Sequence, residues 1–292
     1  MPKELTTSVV KEWLTLVSGI FDVREIWAEL NITTAPGKSK LRVILFRFEQ
    51  EGLLANLGSG KYRKVDNEKR KIDWQSANPE NWLPLFLPFD IHDYARIYPK
   101  SVIIVAGSKN EGKTSFLLET LQLNVNGCLP IDLYNSETGP EQLKVRLDPM
   151  GFPNPAPFNV YERYDNFADI IEPEHLSIID YLDFNSDVYL VGTEIDKIFR
   201  KLTKGVAIIG LQKPPPSKTI VKGVEKVIER DLAYGGGFTA KRAALYISLS
   251  AHKCKLVYVK TPAKAHLKPD NKTWSYEFDQ TGCFINIQDY YA

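Results

Sequence analysis

The sequence predicts an α/β fold built on a mainly parallel sheet, preceded by a small helical domain that ends in a β-hairpin. Three observations predict it. Apolar runs at 102–106, 129–134, 176–179, 206–211, 244–249 and 255–259 have helix-like stretches between several of them, the pattern of strands joined by crossover helices. The first run leads straight into a glycine-rich segment and then an apolar helix. Upstream, three stretches with helical periodicity precede two short strand-like segments around Gly58-Ser59-Gly60.

The 292 residues suit one large domain, or a medium one plus a small one. An apolar fraction of 43% and a charged fraction of 25% are those of a soluble globular chain. A net charge of +1 excludes a polycation, so any nucleic-acid contact must come from local basic patches. Cys128, Cys254 and Cys283 are scattered, which argues against a disulfide framework or a zinc site. No apolar run approaches the ~20 residues of a membrane span, and the N-terminus lacks the apolar core of a signal peptide. The expected setting is cytoplasmic, without a membrane partner.

Residues 1–66 form the first expected domain. Val9, Val10, Trp13, Leu14 and Val17 mark a helix that breaks at Ser18-Gly19. A second short helix falls near 23–30, and Thr33-Thr34-Ala35-Pro36-Gly37-Lys38 signals the start of a third. That helix carries Leu41, Ile44, Leu45, Phe48 and Leu53 on one face, and Gly52 closes it. Three helices and a hairpin are the layout of a winged helix-turn-helix, and EGLLANLGSGKYRKV resembles that family's passage from third helix to wing. Lys38, Lys40 and Arg42 lie on or near the third helix, and Lys61 and Arg63 on the wing. Residues 1–71 hold 13 basic against 9 acidic side chains, a balance that fits duplex DNA contact. Winged helices also dock proteins, and both roles stay open. Residues 67–98 read as a linker, with Trp74, Trp82, Leu83, Leu85, Phe86 and Leu87 interrupted by Pro79, Pro84 and Pro88. It packs either on its own domain or on a neighbouring subunit.

Residues 99–292 carry the chemistry. Gly107-Ser108-Lys109-Asn110-Glu111-Gly112-Lys113-Thr114 has the pattern G-x-x-x-x-G-K-[ST] between an apolar strand and an apolar helix. Glycines let the backbone wrap phosphates without side-chain clash. Successive N–H groups and the helix N-terminus attract the anion. Lys113 is placed to reach the β/γ-phosphates and the Thr114 hydroxyl to hold Mg²⁺. This assigns ATP and Mg²⁺ as ligands, with Gly107 through Thr114 and the following Ser115 as the binding segment. The run ending in Asp180 places an acid at a strand terminus, where it can hold Mg²⁺ through water. Glu137 follows the 129–134 run and could orient and deprotonate an attacking water.

Taken in order, NSETGPEQLKVRL, LSIIDYLDF and VAIIGLQKPP resemble the motifs of RecA-like ATPases, nearest to the DnaB-type hexameric replicative helicases, over roughly residues 102–278. The resemblance implies a catalytic role for Glu137 beside Lys113, a metal-holding role for Asp180, and a γ-phosphate sensor at Gln212. It implies that the loops after Gln212, with Lys213, Lys218 and Lys222, line a channel for single-stranded DNA. A solvated loop without a partner fits their residue content equally well. It places a basic finger acting on the neighbouring subunit near Lys260 and Lys264, where the family usually carries an arginine and this stretch has none. The implied protein is a homo-oligomeric ring or filament that hydrolyses ATP at subunit interfaces and moves along or remodels DNA. The alternative is a nucleotide-gated DNA-binding regulator or loader with slow hydrolysis and no translocation. The missing arginine and the lack of the usual helicase N-terminal oligomerisation domain favour it.

Overall fold

The structure is a computed structural model and describes residues 5–17, 19–69, 71–182, 190–221 and 224–291. Packing divides the chain into two compact units, Met1–Ala77 and Asn78–Ala292.

The first unit contains α1 (Thr7–Leu16), β1 (Ile20–Asp22), α2 (Val23–Glu29), α3 (Ala35–Gln50), β2 (Leu54–Gly58) and β3 (Lys61–Lys64). Local chemistry starts each helix. The Thr6 hydroxyl accepts from the Val9 N–H at 3.3 Å, and Asp22 and Glu25 form a reciprocal capping box. Thr34 caps α3 by accepting from the Gly37 N–H at 3.2 Å. The strands pair in the order β1-β3-β2, all antiparallel. One apolar core, with Val10, Trp13, Phe21, Ile26, Leu41, Ile44, Leu45, Phe48 and Leu54, holds the helices on the sheet. The outer face of α3 is left exposed by Lys40, Val43, Phe46 and Arg47.

The second unit starts with residues 78–98. Leu85, Leu87, Phe89, Ile91, Ala95 and Ile97 of this stretch are buried in the same cluster as Ile103, Val105 and Phe116. The prolines therefore interrupt a strap that packs on its own unit, each buried Leu, Ile or Phe side chain contributing about 1.5–3 kcal/mol. Then follow β4 (Ser101–Gly107), α4 (Lys113–Asn124), β5 (Ile131–Asn135), α5 (Pro140–Leu147), β6 (Asn159–Glu162), β7 (Leu176–Asp180), α6 (Leu190–Lys201) and β8 (Val206–Gln212). The chain ends with β9 (Ser217–Val221), β10 (Val224–Ile228), α7 (Gly237–Ala240), β11 (Ala243–Ser250), β12 (Lys253–Val259), β13 (Thr273–Phe278) and β14 (Phe284–Asp289).

The main sheet runs β14-β13-β12-β11-β4-β8-β7-β5-β6. From β11 to β6 all neighbours are parallel, and β12, β13 and β14 continue it as antiparallel strands. Alternation along β4 feeds two cores. Ile103 and Val105 pack with Phe116, Leu117 and Leu121 of α4. Val102, Ile104 and Ala106 pack with Val191, Ile195 and Ile198 of α6 on the other face. The parallel strands all end on one side, where ligands of such sheets bind. β9 and β10 form a separate antiparallel hairpin between β8 and β11. Among the described residues, no helix is long and apolar enough to cross a membrane.

Candidate nucleotide-binding site

The site is assembled from strand ends. β4 is buried along its whole length and releases the chain at Gly107 into a loop that ends in α4. Asn110 (φ 63°) and Gly112 (φ 83°) take left-handed backbone there. Gly112 has a second reason to be glycine, since a Cβ would lie 2.6 Å from Cζ of Phe278. Lys113 folds back across the loop, and its Nζ donates to the carbonyls of Gly107 and Ser108, both at 3.1 Å. Burial pulls the Lys113 ammonium below its usual range, while Glu137, Asp180 and Glu111 oppose that shift.

Asp180 closes β7 and is 5% exposed. Burial pushes its carboxyl up to about 6, against a hydrogen bond from the Thr114 hydroxyl. Its Oδ1 is buried without a hydrogen-bond partner. A buried carboxylate oxygen with no partner is costly. Set beside the Thr114 hydroxyl, it offers a hard oxygen pair that fits a hydrated Mg²⁺. The peptide bond after Asp180 is cis.

β8 stands between the phosphate-loop strand and the Asp180 strand and delivers Gln212 to the same cleft. β5 delivers Glu137. The Asn135 carbonyl oxygen of the side chain accepts from the N–H groups of Glu137 and Thr138 at 3.4 and 3.3 Å, a local turn that sets Glu137 in place. Ser136 locks the β5 end to the β7 end, with its N–H on the Asp180 carbonyl at 2.9 Å and its hydroxyl on the Tyr181 carbonyl at 2.6 Å.

The resulting cleft encloses about 510 Å³. Lys109, Asn110, Gly112, Lys113, Thr114 and Ser115 line it together with Glu137 and Gln212. Glu111 instead turns its carboxylate to the His252 N–H at 3.3 Å. Asp180 lies just below, bonded to Thr114. Sequence reasoning missed three contributors. Arg146 of α5 faces the cleft and its charge acts on Asp180. Tyr181 lines the cleft, its ring 5.9 Å from the Lys113 ammonium. The turn joining β13 to β14 closes one side with Thr281, Gly282 and Cys283 beside Phe278. Arg146 lay inside a quoted motif and could have been found as a cation one helix away from Glu137. The turn carried no local signal.

One sequence-derived expectation needs correction. Lys213, placed among the DNA contacts, is 2% exposed and donates to the hydroxyls of Ser248 and Ser250 at 2.8 and 3.1 Å. It follows directly after β8, where its N–H bonds the Gly107 carbonyl and its side chain runs to the hydroxyls of β11, buried from a phosphate backbone. The stretch holding Lys218 is a β-hairpin, with Lys218 exposed on β9. Lys222 lies outside the described residues. Lys260 and Lys264 are exposed, but β12 runs antiparallel to β11 and ends level with the start of β4. Within one chain they therefore stand at the opposite end of the sheet from the phosphate loop. In the first unit Lys38 is half-buried, its ammonium 4.5 Å from the Trp27 ring centroid. Lys40, Arg42, Lys61 and Arg63 are exposed.

Fold and site together define a P-loop protein of the mixed α/β class with a large, mostly parallel sheet. No family model matches the chain, and no curated protein matches it in sequence. Solved structures similar to it include the RadB recombinase, with a TM-score of 0.41 and 13% identity over 62% of this chain and 89% of that one. A DnaB-like replicative helicase, described with its interactions with primase, gives a TM-score of 0.47 and 12% identity over 73% of this chain and 66% of that one.

Proposed function

We propose that the chain is a RecA-like ATPase that couples ATP hydrolysis to movement along, or remodelling of, DNA in a cytoplasmic setting. The observation that carries this reading is the meeting of five groups at one cleft. Lys113, the Thr114–Asp180 pair with its unpartnered Oδ1, Glu137 and Gln212 come from four adjacent strand ends. Lys113 leaves the Gly107 and Ser108 carbonyls to hold the β/γ-phosphates. Thr114 and Asp180 would hold Mg²⁺, which when bound neutralises phosphate charge. Glu137 orients the attacking water and takes its proton. Arg146 adds positive charge on the same side as Glu137. Gln212 contacts the γ-phosphate and lies at the root of the β9–β10 hairpin, whose exposed Lys218 suits a nucleic-acid backbone.

In this reading the chain works as a homo-oligomeric ring or filament, and the first unit is a winged helix. Its three helices, β1-β3-β2 sheet and exposed Arg42, Lys61 and Arg63 support duplex contact. A second reading, a nucleotide-gated DNA-binding regulator or loader, is favoured by one observation. The stretch expected to act across a subunit interface carries Lys260 and Lys264 and no arginine.

The test is steady-state ATPase rate with no DNA, single-stranded DNA and duplex, alongside particle mass with a non-hydrolysable ATP analogue. Strong stimulation by single strands in a ring-sized particle supports the motor. Low turnover indifferent to DNA, or stimulated only by duplex, transfers the assignment to the regulator. No ATP turnover and no analogue binding would sink both.

A further inference from the structure

The two-residue turn between β11 and β12 connects the phosphate loop to the β9–β10 hairpin through Ser250 and His252, which lie outside every motif named above. Both of its central residues, Ala251 (φ 48°) and His252 (φ 56°), take left-handed backbone without being glycine. A two-residue hairpin turn of this kind requires positive φ at both positions, so the turn holds a fixed shape. Its surroundings are specific. The His252 N–H donates to Glu111 Oε2 of the phosphate loop at 3.3 Å. The Tyr276 hydroxyl fixes the Glu111 carbonyl from the other side at 2.9 Å.

Ser250 stands at the other end of the turn. Its Oγ accepts from Lys213 Nζ at 3.1 Å and donates to Glu229 Oε2 at 3.2 Å. Lys213 follows Gln212 on the stem that enters the hairpin, and Glu229 follows Ile228 on the stem that leaves it. One hydroxyl thus ties both stems. Asp231 and Lys255 tie the leaving stem again at 2.8 Å. Lys213 also reaches the loop directly. Its N–H donates at 3.0 Å to the Gly107 carbonyl, which accepts from Lys113 Nζ as well.

The chemistry of Lys213 is unusual for a structural residue. Its ammonium is buried, and among the described residues it bonds only two serine hydroxyls and no carboxylate. A buried cation is expensive, and the carboxylates of Asp231, Glu229 and Glu111 offset its burial through space without bonding the ammonium directly. What the ammonium provides is a fixed geometry between Gly107, β11 and the hairpin.

We propose that Ser250 and Lys213 are positioning residues, and that the turn at 250–253 is the link through which phosphate-loop occupancy sets the placement of the β9–β10 hairpin. This rests on the nucleotide reading above. When phosphates draw Lys113 off the Gly107 carbonyl, the bond from Lys213 to that carbonyl and the bond from His252 to Glu111 rearrange together. Ser250 passes the change to both stems.

The test is hydrogen exchange of the full chain with and without Mg²⁺ and a non-hydrolysable ATP analogue, read in peptides spanning 214–229. The wild type should change its exchange rate there by about 5-fold or more on binding. Ser250→Ala should reduce that change below about 2-fold while analogue affinity stays within about 3-fold. Ser250→Thr, which keeps the hydroxyl, should restore it. Lys213→Met, apolar and of similar length, should repeat the Ser250→Ala result should that variant fail to fold. Analogue binding with an unresponsive wild-type hairpin, or a full response in Ser250→Ala or Lys213→Met, overturns the proposal and leaves the nucleotide site standing. Failure of the wild type to bind the analogue overturns the nucleotide reading itself, and this inference with it.

Discussion

Glu119 offers a stability test whose size follows from its surroundings. It lies on α4, in the second turn of the helix that the phosphate loop feeds. Among the described residues its Oε2 is buried without a partner, and its carboxylate receives the Phe284 backbone N–H. Burial pushes the carboxyl from 4.5 up to about 7. The sign follows from proton counting. Between these two values the folded state binds more protons than the unfolded chain, so stability falls as pH rises through the window. Above pH 7 both states are ionised and the folded state bears the whole cost of the buried charge. At 1.36 kcal/mol per unit that cost is about 3 kcal/mol, reduced to roughly 2 because the side chain keeps some contact with water. Glu119→Gln removes the charge and keeps an acceptor for the Phe284 N–H. The variant should gain about 2 kcal/mol at pH 8, or about 4–8 °C in Tm for a unit of this size. At pH 5 the wild-type carboxyl is largely protonated when folded, and the gain should shrink below about 1 kcal/mol. Thermal melts of both proteins at the two pH values decide it. An equal gain at pH 5 and pH 8 refutes the charge argument, and a loss at both shows that Glu119 makes a stabilising bond instead.

Glu137→Gln should leave analogue affinity within about 3-fold and lower turnover by about 100-fold or more; normal turnover removes Glu137 as the base. Arg146→Ala should lower kcat by about 100-fold with a smaller change in binding, and an unchanged rate would limit Arg146 to screening Asp180. Gly112→Ala forces a Cβ to within 2.6 Å of the Phe278 ring at φ 83°, and should cost about 2 kcal/mol or more of stability together with a weakened analogue titration; wild-type affinity and Tm would show that the loop can re-form around a side chain. Replacing Arg42 and Lys61 together by Ala should reduce the salt slope of duplex binding by about 2, and an unchanged slope would reassign the first unit to protein docking.

The parts legible in the sequence are those decided locally. Runs such as 102–106 and 206–211 are apolar at every position because parallel strands are covered on both faces, and their short length and β-branched residues set them apart from buried helix. Thr34-Ala35-Pro36-Gly37 and the capping box at Asp22 announce helix starts in a few residues. The phosphate loop needs glycines and Lys113 at fixed spacing, so its chemistry is written in eight consecutive positions. What escaped is decided by partners far along the chain. β1 is three residues long and exists because β3 pairs with it. β13 and β14 alternate apolar and polar residues weakly, and their pairing alone brings Phe278 onto Gly112. Residues 78–98 look like a linker because of their prolines, yet Leu85, Leu87 and Phe89 complete the core beneath α4.

Lys213 shows why this division matters for function. In the sequence it opens a proline- and lysine-rich stretch, where every local rule points to solvent and to a phosphate backbone. Its burial is set by Ser248 and Ser250, about 35 residues later, through the parallel pairing that places β11 next to β4 and β4 next to β8. The same pairing puts the turn at 250–253 level with the phosphate loop. A strand order that brings the ends of β4, β8 and β11 together thus determines which lysine can meet a ligand and which must hold the frame. Charge counting along the chain cannot separate the two. The exposed Lys218 and the buried Lys213 stand five positions apart with the same side chain, and only the sheet leaves one at the surface and ties the other to the hydroxyls of β11.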